Sequence, residues 1–283
     1  MEDMNKPRSL VLSSALAGLL LWSILASPEP VKAATGNGDI AYSDPNDSAG
    51  TDIYIIAPDG SGQTDLTNGG IAVNREPSYS PDGSRLVFTS NSTAQNEIHS
   101  MNADGTNVVN LTNDPGGDGS PDWSPAGNKI AFVSDRGGDL DVYAMNVDGT
   151  GQVNLTNAPG SSDLFPRWSP NGQRIAYFSS VDNSIWIMNA DGSGQASLNV
   201  IGVPMDWSPD GTKILGTITG DPPLITQFVN LFTINPDGSG YTVVTSCDTA
   251  NLTPGDVCPG YATYAPDGTQ IAFIGAEVTQ SGF

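Results

Sequence analysis

The sequence predicts an all-β fold, a β-propeller built from four-stranded antiparallel blades. Three observations predict it: a recurring pentapeptide (Trp or Tyr, Ser or Ala, Pro, any residue, Gly), an Asp-Gly pair that recurs with it, and strand-like segments between them. Successive Asp-Gly pairs lie 45, 44, 43 and 46 positions apart. A period of about 40 to 50 residues containing short strands is typical of one propeller blade. The pentapeptides occupy 79–83, 123–127, 168–172, 207–211 and 264–268, and the pairs begin at Asp59, Asp104, Asp148, Asp191 and Asp237.

Each strand of a blade can be recognised in the third repeat. An inner strand ends at Trp123 and is followed by the pentapeptide turn. Lys129–Ser134 is rich in β-branched and aromatic residues, which favours a second strand. After a glycine turn, residues 140–145 alternate between apolar and polar and predict a third strand. The Asp-Gly pair then closes a tight hairpin onto a short fourth strand at 152–156.

The aromatic residue that opens each pentapeptide is predicted to pack between blades. A blade cannot bury both of its faces alone, so its neighbours must cover them. Each large aromatic side chain buried in this way contributes about 1.5–3 kcal/mol. We therefore interpret five residues as core and not as a ligand cage: Tyr79, Trp123, Trp168, Trp207 and Tyr264.

Residues 1–33 have the features of a secretory signal peptide. A basic start precedes an apolar run from Leu10 to Ala26, and small residues follow at the cleavage position. We expect cleavage after Ala33, a periplasmic or secreted protein, and no membrane span after removal of the signal. An uncleaved anchor is the alternative. The propeller domain then comprises residues 34–283.

The cysteines fit an exported protein. Cys247 and Cys258 are the only two, and in an oxidising compartment they most simply form one disulfide. Two thiols and the single histidine, His99, fall short of the four ligands of a structural zinc site.

The chain is strongly acidic, with 10 basic and 31 acidic residues and a net charge of −21. Such a surface repels nucleic acids and anionic headgroups, so we expect no nucleic-acid partner. The acidity would attract a basic partner or cations. Alternatively, the aspartates serve the turns and keep the protein soluble.

The repeat resembles that of the TolB family. The resemblance extends from Asp39 to the end of the sequence and implies an exported propeller that acts by binding. The resemblance to TolB implies a propeller preceded by an α/β domain. In this sequence only residues 34–38 separate the predicted signal from the first strand, so we do not expect a role in the Tol–Pal system. Similar repeats occur in other exported propellers, in prolyl-oligopeptidase-like peptidases and in oligogalacturonate-lyase-like enzymes. The motifs that carry the resemblance are Trp123-Ser-Pro-Ala-Gly, Ile130-Ala-Phe-Val-Ser134, Val142-Tyr-Ala-Met-Asn-Val-Asp-Gly149 and Leu155-Thr-Asn157.

The blade number is open. Second-strand motifs begin at six places, but only five Asp-Gly hairpins follow them. The first unit lacks an inner strand, and the last stops soon after its second strand. We favour a six-bladed propeller that is incomplete at the C-terminus; the alternative is a five-bladed ring in which Tyr261–Tyr264 forms the inner strand of the first blade. The six motifs begin at Ile40, Leu86, Ile130, Ile175, Ile214 and Ile271.

The connections after the second and fourth strands vary in length, and variable loops on a rigid scaffold are where binding usually occurs. Two insertions there flank one blade, at 219–229 with Pro222, Leu224 and Ile225, and at 246–260 with the cysteine pair. We predict a protein-binding patch at this edge. The alternative is inert decoration stiffened by proline and a disulfide.

The central channel is a second candidate site. Polar residues directly precede the aromatic residues of the inner strands or lie a few positions before them, where they would contact a peptide or a small ligand. The alternative is a water-filled channel with structural hydrogen bonds. The candidate binding residues are Arg75, Glu76, Asp122, Arg167 and Asp206.

No catalytic motif is recognisable. A serine hydrolase needs a nucleophile elbow and a histidine base, but Gly-x-Ser-x-Gly is absent and His99 stands where other repeats carry an aromatic residue. Paired carboxylates of the glycosidase type stay open, because spacing across blades is invisible in sequence. No cofactor is expected. Calcium is an alternative at 44–52 or 135–141, although neither stretch matches an EF-hand loop.

Together these patterns predict a non-catalytic, exported TolB-like propeller that serves as a protein-interaction scaffold in the cell envelope or outside the cell. A protein partner is expected, without a named identity. The alternative is a propeller that binds a small ligand or a saccharide, or that is part of a larger hydrolase or lyase.

Overall fold

A computed structural model describes residues 10–12, 32–33, 38–44, 51–68, 72–93, 95–219, 228–246 and 257–277. Every regular element in this part of the chain is a β-strand, and no helix in it is long and apolar enough to cross a membrane. The strands are β1 (Leu10–Leu12), β2 (Lys32–Ala33), β3 (Ile40–Asp44), β4 (Asp52–Ile56), β5 (Thr64–Asp65), β6 (Asn74–Tyr79), β7 (Arg85–Ser90), β8 (Glu97–Asn102), β9 (Val109–Asn110), β10 (Asp118–Trp123), β11 (Lys129–Ser134), β12 (Asp141–Asn146), β13 (Val153–Asn154), β14 (Asp163–Trp168), β15 (Arg174–Ser179), β16 (Ser184–Asn189), β17 (Ala196–Ile201), β18 (Val203–Trp207), β19 (Ile214–Thr219), β20 (Phe228–Ile234), β21 (Thr242–Ser246), β22 (Val257–Tyr264) and β23 (Ile271–Glu277).

Five sheets contain four strands each, in the order of the chain. We call them blade 1 (β2–β5), blade 2 (β6–β9), blade 3 (β10–β13), blade 4 (β14–β17) and blade 5 (β18–β21). Neighbouring strands within a blade are antiparallel. The first strands of successive blades contact one another, and β22 contacts both β18 and β2, so the inner strands surround a common axis. The predicted all-β propeller with four-stranded antiparallel blades is confirmed.

The favoured six-bladed prediction is corrected to the alternative of five four-stranded blades. Strands β22 and β23 are antiparallel, but the third strand of their sheet is β1, which runs parallel to β23. The edge of β23 is therefore paired with an N-terminal segment and not with the third antiparallel strand that a blade requires. This three-stranded sheet stands between blade 5 and blade 1.

The first unit does have an inner strand, contrary to the sequence-based expectation. Lys32 and Ala33 form β2 and pair with Ala41 and Ile40. The five-bladed alternative assigned this role to Tyr261–Tyr264, which instead belongs to β22 and pairs with β23. The reason is that two residues suffice for a strand, which is too short to leave a periodic signal in the sequence.

Hydrophobic side chains fill the seams between blades. Tyr79, Trp123 and Trp207 are buried, and the half-buried Trp168 and Tyr264 pack against neighbouring clusters, so the core interpretation of all five is confirmed. A typical cluster joins the second and third strands of blade 3 to blade 2. Its members are Val87, Ile98, Leu111, Trp123, Ile130, Phe132, Tyr143 and Met145.

The two ends of the propeller differ. We call the end that carries the connections after first and third strands the turn end, and the opposite end the loop end. At the turn end, eight exposed aspartates each accept hydrogen bonds from the residue two positions ahead, through its N–H and its hydroxyl. Hydrogen bonds lower the pKa of all eight carboxyls. For Asp82, whose pKa falls to about 2, the largest contribution comes from the Ser80 hydroxyl, followed by the bonds from Ser84. Much of the acidity of the chain therefore serves tight turns.

Candidate functional site

Three of the predicted channel residues join successive inner strands around the ring. Asp122 accepts a hydrogen bond from the Trp168 backbone N–H at 2.8 Å. Asp206 accepts bonds from the backbone N–H of Tyr264 at 2.9 Å and from the Thr263 hydroxyl at 2.7 Å. Asp122 therefore connects blade 3 to blade 4, and Asp206 connects blade 5 to β22.

Arg167 is a buried cation, 5% exposed, on the inner strand of blade 4. Its Nε donates to the Met205 carbonyl at 2.8 Å, and its Nη1 donates to the Pro166 carbonyl at 2.8 Å. The Arg167 carbonyl in turn accepts the Trp207 indole N–H at 3.0 Å. These bonds hold blade 4 against blade 5 and fix the guanidinium in one orientation.

Glu76 lies at a β-bulge in β6 and has a positive φ of 61°. A bulge turns a side chain away from its normal direction. Here it brings the Glu76 carboxylate to the hydroxyl of Thr89 and to Ser120 of blade 3, whose N–H donates at 2.6 Å and whose hydroxyl donates at 3.0 Å. The neighbouring Arg75 has a buried Nε that makes no hydrogen bond to the described residues.

The predicted patch on the two insertions lies largely outside the described residues. Pro222, Leu224, Ile225 and Cys247 are not among them. Cys258 lies in β22, opposite Ala276 of β23, so the second predicted insertion ends in a strand rather than a loop. The patch and the disulfide stay predictions.

At the loop end, the structure reveals a recurring hydrogen-bond network between a carboxylate and a threonine that sequence analysis missed. In blades 1 to 3, a carboxylate at the start of the third strand accepts the hydroxyl of the threonine that follows the fourth strand. The same threonine oxygen accepts the backbone N–H of the residue after the carboxylate, at 2.9–3.0 Å. The pairs are Asp52–Thr67 at 2.7 Å, Glu97–Thr112 at 2.5 Å and Asp141–Thr156 at 3.1 Å. Their constant spacing of 15 residues was a signal in the sequence.

The first residue of the next inner strand joins this hydrogen-bond network. In blade 2 it is Asn74, whose amide donates to Asp52 at 3.2 Å. In blades 3 and 4 it is an acid, Asp118 or Asp163, so two carboxylates meet. Burial raises the pKa of both acids, and the charge of Asp141 raises that of Asp163 further. The pKa of Glu97 is raised by burial and by the charge of Asp118.

Arg136 compensates this charge in blade 3. Its Nη2 donates to both oxygens of Asp118 at 2.9 Å, and its Nη1 lies 2.7 Å from Asp114. The guanidinium carbon lies 5.5 Å from the ring centroid of Phe132 and 5.1 Å from that of Tyr143, which is the range of cation–π contacts. Arg136 thus occupies a seat made of carboxylates and aromatic rings on the face of the blade.

His99 and the proposed calcium stretch both have structural partners. His99 is buried, its ring centroid lies 5.8 Å from that of Phe88, and burial lowers its pKa. It therefore fills the aromatic position of the third strand, as predicted. Asp135 and Asp139 accept backbone N–H groups of Gly117 and Gly160 at 2.7 and 2.9 Å. Among the described residues, no three His, Cys, Asp or Glu side chains are grouped as metal ligands.

Exposed apolar residues lie at the loop end of blade 4. Val181 follows β15 and is 65% exposed, and Ile201 ends β17 and is 61% exposed. Ile201 pairs with Ser184, which pairs with Ser179, so all of these residues belong to one end of the blade. This part of the loop end is anchored, because Ser162 and Ser180 exchange hydrogen bonds of 2.7 and 2.9 Å.

Comparison with known proteins identifies the family. The model of the TolB beta propeller domain matches residues 38–214. The chain belongs to the TolB β-propeller family. A comparison with curated protein sequences gives no match.

Solved structures similar to this TolB-like propeller include TolB from Acinetobacter baumannii, with a TM-score of 0.62, 22% identity and 75% coverage of this chain. The alignment covers 52% of that TolB, so the chain spans about half its length. A putative TolB from Agrobacterium tumefaciens has a TM-score of 0.53 and 24% identity, with 64% of this chain and 74% of that one covered. An oligogalacturonate lyase in complex with manganese has a TM-score of 0.56 and 15% identity, with 87% and 86% covered. At these identities the likeness is one of fold.

Proposed function

We propose that the chain is an exported, non-catalytic propeller that serves as a protein-interaction scaffold in the cell envelope or outside the cell. The observation that carries this proposal is the pair of exposed apolar side chains, Val181 and Ile201, at the anchored loop end of blade 4. Exposed apolar groups on a preformed surface lose little conformational entropy on binding and favour a protein partner.

The use of the polar residues supports the same proposal. Asp122, Arg167 and Asp206 join successive inner strands, and the single histidine fills an aromatic position in a sheet. These groups make the scaffold rigid. A rigid scaffold presents its loops in a fixed arrangement, which is the property that binding requires.

A comparative capture experiment tests the proposal. The purified chain, its Val181→Ser/Ile201→Ser variant and a Val153→Ser control are immobilised and exposed to an envelope fraction, and retained proteins are quantified. Val153 is 57% exposed but lies on the fourth strand of blade 3, away from the loop end. We expect a partner that the wild type and Val153→Ser retain and that the double variant loses at unchanged thermal stability. Equal retention by all three, or enrichment of glycan alone, contradicts the proposal.

Export is tested separately. A fusion of residues 1–33 to a reporter that is active only outside the cytoplasm is expected to be active, whereas a charged residue placed within the apolar run should abolish the signal. Activity that is independent of this segment contradicts export by it.

A further inference from the structure

Three blades carry the same loop-end position in three electrostatic forms. Two residues define this position in each blade. One is the first residue of the inner strand, and the other lies two places after the end of the second strand. The register is the same in each case, because Asn74 pairs with Ser90, Asp118 with Ser134 and Asp163 with Ser179. The combinations are Asn74 with Ser92 in blade 2, Asp118 with Arg136 in blade 3, and Asp163 with Val181 in blade 4.

In blades 2 and 3 the side chain of the first inner-strand residue has a partner at this position. Blade 2 has a neutral amide, and blade 3 has a carboxylate that receives two hydrogen bonds from Arg136 at 2.9 Å. Blade 3 thus shows how a guanidinium is held here, with Asp118 at its edge and the Phe132 and Tyr143 rings against it. A planar guanidinium suits this arrangement because it forms paired hydrogen bonds and stacks on aromatic faces.

Blade 4 keeps the carboxylate and lacks the cation. Asp163 is 2% exposed, and its Oδ1 has no hydrogen-bond partner among the described residues. In blade 3 the carboxylate is paired with Arg136, whereas no ion pair joins Asp163 to another described residue. A buried carboxylate oxygen without a donor is costly, so the site favours any donor that can reach it.

The aromatic wall of the seat is also kept in blade 4. Tyr177 and Trp186 stand where Phe132 and Tyr143 stand in blade 3, and their ring centroids are 6.4 Å apart. The Trp186 indole N–H donates to Asp182 at 2.9 Å, which brings a second carboxylate beside the rings. Blade 4 therefore combines two carboxylates with two aromatic rings, the elements that hold Arg136 in blade 3.

We propose that this site of blade 4, formed by Asp163, Tyr177, Asp182 and Trp186, binds an arginine side chain of a partner protein. The proposal rests on the proposed scaffold function and names the chemistry that the partner presents. Val181 replaces the internal arginine and is 65% exposed, so the blade offers an apolar contact next to the site. The net charge of −21 attracts basic segments toward it.

An arginine fits this site better than a metal ion. Two carboxylates against aromatic rings leave a metal ion short of oxygen ligands, whereas a guanidinium uses both elements. Asp163 lies as deep as Asp118, which Arg136 reaches with its long side chain. The hydrogen bonds between Ser162 and Ser180 lie next to Asp163 in the sequence and hold this part of the loop end in place.

The first test places a cation in the site. In the full chain, Val181→Arg is expected to raise the melting temperature by about 2–4 °C, the shift typical of one additional favourable interaction in a domain of this size. The same change in an Asp163→Asn background should give no increase. Ser92→Arg is the matched control, because it adds an arginine at the equivalent position of blade 2, where the inner strand carries the neutral Asn74 and the nearby Asp52 carboxylate already accepts the Asn74 amide. Equal effects of Val181→Arg and Ser92→Arg, or an effect that persists without Asp163, would overturn the proposal.

The second test measures binding directly. The probe is the blocked peptide Gly-Arg-Gly, its neutral control is the citrulline peptide, and tryptophan fluorescence or amide chemical shifts report on the surroundings of Trp186. We expect saturable binding of the arginine peptide, at least tenfold weaker binding by Asp163→Asn, no binding by Val181→Arg, and unchanged binding by Ser92→Arg. Equal affinity for both peptides, or no loss in Asp163→Asn, refutes the site.

The outcomes separate this inference from the scaffold function. If Val181→Arg and Asp163→Asn retain a partner as well as the wild type does, the arginine site is refuted but the proposed scaffold function is not. A peptide that binds as expected, without any partner captured from the envelope, contradicts the scaffold proposal and leaves the binding chemistry intact.

Discussion

Replacing Arg136 with valine converts blade 3 to the arrangement of blade 4 and should destabilise the protein. Asp118 is fully buried as a side chain and Arg136 is 19% exposed, so the change leaves a buried carboxylate without its cation. Removal of one partner from a buried ion pair costs about 3–5 kcal/mol. Because Arg136 is partly exposed to water, we expect a loss near the lower limit, about 3 kcal/mol in the free energy of unfolding.

A double-mutant cycle isolates the charge from the packing. Asp118→Asn supplies the neutral residue that blade 2 carries as Asn74, so Arg136→Val combined with Asp118→Asn should recover most of the loss and leave about 1 kcal/mol of lost packing. Asp118→Asn alone should cost little, because Arg136 keeps its ion pair with Asp114, so the expected coupling between the two sites is about 2 kcal/mol. Urea unfolding followed by tryptophan fluorescence and by circular dichroism measures each corner of the cycle and checks that the transitions coincide.

The pH dependence gives the sign of the effect. Burial raises the pKa of Asp118 in the folded protein, and Arg136 opposes that rise. Without Arg136 the folded pKa rises further, so the folded state binds a proton more readily than the unfolded chain does. The penalty of Arg136→Val is then largest at neutral pH and shrinks as the pH falls below the raised pKa. Additive effects in the cycle, or a penalty that grows on acidification, would refute the reasoning.

Three further predictions concern the fold. In urea unfolding, Gly149→Ala should destabilise the protein by about 3 kcal/mol and Gly60→Ala by only about 1–2 kcal/mol. Both glycines have φ above 80°, but of the two only Gly149 would bring an added Cβ against a backbone carbonyl oxygen, at 2.4 Å. Equal losses of stability would contradict this steric clash. Burial lowers the pKa of His99 below 6.5, so the unfolded chain takes up the proton first and stability falls on acidification. His99→Phe should therefore weaken the loss of stability between pH 7 and pH 5. An unchanged dependence of stability on pH would contradict this prediction. Burial raises the pKa of Tyr79 and Tyr264 to about 12, so absorbance at alkaline pH should show a late tyrosine phase that unfolding in urea removes.

Much of the fold was predictable because its signals are local. The Asp-Gly pairs and pentapeptides determine tight turns at fixed intervals, and the strands between them follow from side-chain alternation. The aromatic character of position 99 was readable in the same way, since the residue is compared with its equivalents in other repeats. The Asp-Thr spacing of 15 residues was equally local and could have been found.

Ring closure was not predictable from the same signals. The inner strand of blade 1 has only two residues, and the edge of β23 pairs in parallel with Leu10–Leu12, a segment far away in sequence. Such pairing depends on which strand edges meet in space, and no repeat motif encodes it. The predicted channel residues show a similar limit, because only the structure reveals that Asp122 and Asp206 bond to the backbone of the next inner strand.

The sequence by itself determined that the chain is a propeller of short antiparallel strands, because period, turn residues and alternation are properties of neighbouring residues. The tertiary structure alone decided which charges are balanced. Asp118 and Asp163 occupy the same place in the repeat, yet one meets Arg136 and the other has an oxygen that no described residue donates to. Whether a buried carboxylate is compensated depends on the side chain that the loop after the second strand of the same blade brings to it, and that contact forms only when the first and second strands pair.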